Sequence, residues 1–136
     1  MIFARAYANA EDAGDAHLAR RIADAYVPYM ESQFDYLERQ SRSFFGREIR
    51  QVLLVHANSL NADRFGALLD RLRRRGYAFV SLDRALEDPA YASPDTYVGG
   101  GGITWLHRWV LSAGAAPLPG EPNPAAFVFQ AAHVEP

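Results

Sequence analysis

With 136 residues the chain has room for one domain or part of one. Its 49% hydrophobic and 22% charged content, with a net charge of −2, fits a globular protein and favours neither nucleic acid nor an anionic membrane surface as partner. Cysteine is absent, which excludes disulfides, thiolate metal sites and a cysteine nucleophile.

No apolar run approaches the ~20 residues of a membrane span. The start, Met1 to Tyr7, is interrupted by Arg5 and followed by Glu11 and Asp12, unlike a secretory signal. Taken as it stands, the chain is expected to remain in the cytoplasm. Leu18, Ile22, Tyr26, Tyr29, Met30, Phe34 and Leu37 recur at three- and four-residue intervals, the spacing of one helix face. Asp15 is the expected N-cap and Gly46 the expected stop, with a kink or break at Pro28. Gln51 to His56 is a short apolar run rich in branched residues and reads as a strand buried on both faces.

Asn61 is the expected cap of a second helix whose buried stripe is Phe65, Leu68, Leu69 and Leu72, with Gly76 ending it. A further strand is predicted at Ala78 to Leu82, so residues 50–82 read as a right-handed βαβ unit. Asp83 to Leu86 suits a short helical turn, and Pro89, Pro94 and Gly99 to Gly102 mark loops. Helical spacing returns from Ile103 to Leu111, and the Pro- and Ala-rich stretch 113–136 reads as an extended tail. The fold class predicted is α/β, too short to close a barrel of the usual ~250 residues.

His56 stands out because it lies at the carboxyl end of a predicted buried strand, the edge where α/β folds place ligands and catalytic groups. Side-chain alternation puts Leu54 and His56 on one face and Leu53 and Val55 on the other. A histidine that merely bonds a neighbouring loop is the competing reading. His17 sits in a polar helix start and His133 in the predicted tail, and His107, between two tryptophans, suits packing. No histidine pair has metal-site spacing. The four glycines at 99–102 read as a flexible loop, since no phosphate-binding pattern surrounds them. Arg71, Arg73, Arg74 and Arg75 complement a helix C-terminus. Trp105 and Trp109 share a helix face and serve either the core or a sugar groove. Asp63, Asp70 and Asp83 have no geometry that spacing defines.

Leu53-Leu54-Val55-His56-Ala57-Asn58, followed by Leu60-Asn61-Ala62-Asp63, resembles the last catalytic motif of polysaccharide deacetylases of the NodB-homology type. Arg73 to Tyr77, Phe79 to Asp83, Ala85-Leu86, Asp88 to Tyr91 and Gly101 to Trp109 continue the likeness. Ala25 to Met30 and Phe45 to Ile49 resemble the helix and turn before that strand in one branch of the family. The similarity spans residues 1–112, with 113–136 as tail.

The resemblance implies the C-terminal part of an irregular (β/α) barrel, with parallel strands and a long N-terminal helix. It also implies metal-dependent removal of acetyl groups from N- or O-acetylated sugars, commonly with zinc as Lewis acid. His56 matches the histidine that protonates the leaving group, and Leu54 the residue lining the acetyl-methyl pocket. The family's base and metal ligands, an aspartate and two histidines, have no equivalent here, and Gly100 stands where relatives often carry proline. The expectation is a truncated deacetylase-like chain, inactive alone and holding no metal itself, whose relatives are often exported. The alternative is a non-catalytic half-barrel module that covers open sheet edges by self-association or on a partner.

Overall fold

The structure is a computed structural model that describes residues 2–99 and 104–135. All regular structure among these residues is helical: α1 (Ile2–Asp12), α2 (Ala16–Phe45), α3 (Ser59–Arg74), α4 (Leu82–Leu86), a 3-10 turn (Pro89–Ala92), α5 (Trp105–Ser112) and α6 (Ala126–Ala132). The α/β class, the parallel strands, the βαβ unit and the incomplete barrel are therefore corrected. The segments 51–56 and 78–82 that pattern predicts as strands form none, and Leu82 instead begins α4. A strand exists only through a ladder with a neighbour, and no described segment supplies one.

The chain divides into two compact units. The first comprises Met1–Gln33, Leu54–Ala78 and Pro122–Pro136; the second comprises Phe34–Leu53 and Phe79–Glu121. Helix α2 contributes residues to both. Asp15 caps it as predicted, accepting a bond from the Leu18 N–H at 2.9 Å. Gly46, at φ +72°, closes it by donating to the Arg42 carbonyl at 3.0 Å. Pro28 does not break the helix. A mid-helix proline costs about 3 kcal/mol, set against the burial of α2 side chains such as Ile22, Phe34 and Tyr36.

In the first unit, α1 packs on α6 and α3. The core of this unit is rich in small residues, Ala6 and Ala10 of α1, Ala19 and Ala23 of α2 and Ala132 of α6, all buried. Small side chains let helix backbones approach closely, and Phe3, Ile22, Leu60 and Val128 fill the remaining space. Neither α1 nor α6 stands out by pattern alone. The extended tail is corrected accordingly: Val128 and Phe129 are buried, and Asn9 of α1 donates to the Ala131 carbonyl at 2.8 Å. Tyr7 donates to the Asp63 carboxylate at 2.5 Å. That bond, with burial, pushes the Tyr7 phenol up to about 12.

In the second unit Ile49, Ala90, Leu106 and Trp109 form the core, with Leu37, Phe44, Phe45 and Tyr91 against it. The buried Asp88 carboxylate ties two turns of this unit together. It accepts from Arg47 Nη1 at 2.9 Å and Nη2 at 2.5 Å, and from the N–H groups of Arg50 and Ala90 at 3.0 Å each. The Arg47 guanidinium and these two N–H groups, against the opposing effect of burial, hold the Asp88 carboxyl well below the usual carboxylate range.

Because the folded-state pKa is depressed, this stabilisation is complete above the unfolded value of ~3.9 and fades as pH falls below it. Asp88→Asn is expected to cost about 2–3 kcal/mol at neutral pH, since it leaves Arg47 without its charged acceptor. Urea denaturation followed from neutral pH to about pH 2 checks both points. The wild-type midpoint should fall through the acid range while the variant's changes less. Equal midpoints for the two proteins at neutral pH would remove Asp88 from this role.

Candidate functional site

The residues that lead up to His56 alternate in burial. Gln51, Leu53 and Val55 are half-buried, whereas Val52, Leu54 and His56 are exposed, Leu54 at 77%. The two-residue period predicted for a strand is thus present in a segment that has no strand partner. Leu54 and His56 share the outward face, as expected; a strand buried on both faces is not what forms. No described residue bonds the His56 imidazole.

The backbone at His56 is anchored more firmly than its side chain. Asn61 Nδ2 donates to the His56 carbonyl at 2.8 Å, and Asn58 Nδ2 does so at 3.1 Å. Tyr26 supports this arrangement from α2 by donating its hydroxyl to Asn61 Oδ1 at 2.8 Å. Asn58, not Asn61, is the N-cap of α3: its side chain accepts from the Asn61 N–H at 2.9 Å. The asparagine pair at 58 and 61 therefore starts the helix and fixes the residue that precedes it. The expectation of Asn61 as the cap is corrected by three residues, and the reach of Tyr26 across 35 residues left no local signal.

The remaining candidates are placed elsewhere or are already engaged. Asp63 accepts from Tyr7, and Asp70 pairs with Arg73 at 2.8 Å. His107 is buried, with its Nε2 3.1 Å from the Tyr36 hydroxyl, as its amphipathic setting predicts. His17 is exposed on α2, and His133 ends α6 in the left-handed region at φ +54°. Arg71 pairs with Glu31 at 2.9 Å, so the arginine cluster closing α3 is partly matched within the chain. Gly100 to Ile103, which include most of the predicted glycine loop, lie outside the described residues.

The divalent metal implied by the resemblance needs several ligands in one place. Among the described residues no group of three or more His, Asp or Glu side chains is arranged to hold an ion. The donor set does not fit that group. Likewise, no helix among the described residues is long and apolar enough to cross a membrane.

Compared with known proteins, the chain matches no family model, no curated protein sequence and no solved structure.

Removing the Asn61 side chain should free the His56 carbonyl and leave the Tyr26 hydroxyl without its acceptor. Asn61→Ala is expected to lower stability by about 1–2 kcal/mol and to raise amide exchange around residues 54–58. Hydrogen exchange resolved by residue tests this. Unchanged protection there would mean that the asparagine does not hold the segment.

Proposed function

We propose that this chain is a polysaccharide deacetylase-like protein, whose family chemistry is the metal-dependent hydrolysis of acetyl groups from N- or O-acetylated sugars, and that it does not turn over alone. The observation carrying this reading is the shared exposed face of Leu54 and His56, within a segment that resembles the last deacetylase motif. On this reading His56 gives a proton to the departing amine or alcohol, and Leu54 contacts the acetyl methyl. Asn58 and Asn61 act as positioning residues by fixing the His56 backbone. Acid–base assistance is worth ~10²–10⁴ in rate, and it serves only a carbonyl that water is already attacking. A lone proton donor therefore leaves most of the barrier in place.

The expected result with N-acetylchitohexaose and added zinc is no acetate release above the buffer blank. The same sugar should shift the Leu54 methyl and His56 ring resonances. Resonances unmoved by millimolar sugar would sink the saccharide reading. Acetate release that disappears in His56→Ala would overturn the proposed inactivity.

One observation favours a second reading, a non-catalytic interaction module. Residues 51–56 have no ladder partner among the described residues, yet they are uncharged or weakly basic and expose Val52 and Leu54. Such an edge is a template for another chain. Antiparallel pairing about a two-fold axis at Leu54 sets Leu54 against Leu54 and Val52 against His56, opposing no like charges. A second copy of this chain is thus the fitting occupant. Sedimentation equilibrium should show a dimer that Leu54→Lys dissociates, and a wild-type monomer at high concentration would end this reading.

A further inference from the structure

The second unit contains a cleft of about 480 Å³ whose lining includes Glu87, Tyr91, Asp95, Trp105 and Trp109. Trp105 is 48% exposed, although it lies one helical turn from Trp109, which is buried. Its ring is held in place. The Trp105 and Trp109 indoles lie near-parallel with centroids 6.4 Å apart, and Tyr91 meets both edge-on at 5.3 Å. The Tyr91 hydroxyl is itself tied to the Arg50 carbonyl at 2.7 Å. An exposed aromatic face fixed by two other rings is a platform for stacking that loses little freedom on binding.

The charge of the cleft narrows what could stack there. Each of its three carboxylates has an arginine partner: Asp88 with Arg47 at 2.5 Å, Glu87 with Arg50 at 3.3 Å, and Asp95 with Arg108 at 2.8 Å. A site for an organic cation would leave carboxylate charge unmatched, and an anion would meet three carboxylates. Paired carboxylates and guanidinium groups instead offer acceptors and donors with little net field. Glu87 and Asp95 remain accessible enough to use them, with side chains 68% and 34% exposed. An apolar flat face flanked by charge-matched polar groups suits a neutral polyhydroxylated ring.

We propose that this cleft is a saccharide-binding subsite in which a neutral pyranose stacks its C–H face on Trp105. Its hydroxyl groups bond to Glu87 and to the Asp95–Arg108 pair. The subsite uses residues distinct from Leu54 and His56. It shares the saccharide class with the function proposed above but does not depend on that assignment.

The test is calorimetric titration of the whole chain with neutral N-acetylchitohexaose, neutral cellohexaose and the cationic glucosamine hexamer. Both neutral oligomers are expected to bind, with Trp105→Ala weakening them about tenfold or more and Trp105→Phe less. His56→Ala should leave cellohexaose binding unchanged, which separates this subsite from the acetyl-sugar reading of His56. If cellohexaose binds and the acetylated sugar fails to shift His56, the subsite stands and the deacetylase reading falls. Wild-type affinity in a folded Trp105→Ala protein would overturn the proposal. So would binding of the cationic hexamer alone, or of no oligomer.

Discussion

Four hydrogen-bond donors converge on the Asp88 carboxylate, and the second unit is organised around that convergence. A buried carboxylate costs several kcal/mol unless its charge and lone pairs are answered. Here a guanidinium answers the charge, and two backbone N–H groups take up further acceptor capacity. The consequence is geometric as well as energetic. Residues 47–50 and 88–90 are fastened to one another, which sets Tyr91 where its hydroxyl reaches the Arg50 carbonyl. The Tyr91 ring then seats both tryptophans. The exposed face of Trp105 is thus tied, through Tyr91, to the ion pair at Asp88.

The first unit is held by different physics. Its helices meet through alanines, so that close backbone approach and dispersion contacts do what larger side chains do elsewhere. The segment carrying Leu54 and His56 gains little from that core. It is fastened instead at one end, where Asn58 and Asn61 join the His56 carbonyl to the start of α3. Leu54, just before the anchor, remains largely in solvent. The segment thus combines an anchored backbone with exposed side chains.

Much of the helical content was legible because its determinants are local. The apolar spacing from Leu18 to Leu37 marks α2, and Asp15 and Gly46 mark its ends through bonds spanning only a few residues. The α3 stripe is placed correctly at Leu68 and Leu72, which are buried, while its cap lies three residues earlier than Asn61. The helix at Ala126–Ala132 was not legible, since prolines precede it and Ala125 provides no side-chain cap. It forms because α1 offers a surface for Val128 and Ala132. The structural role of Asp88 was equally hidden, because Arg47 lies 41 residues away in sequence.

The sequence by itself determined where α2 starts and stops and which side chains around His56 share a face. Those properties depend on bonds and periodicities within a few residues. Only the tertiary structure decided whether 51–56 becomes a strand, because a ladder needs a second backbone that no local pattern contains. The same holds for the Tyr26 to Asn61 to His56 chain of hydrogen bonds and for the exposure of Trp105. Each depends on groups far apart in sequence being brought within bonding or packing distance, and that is a property of the folded chain.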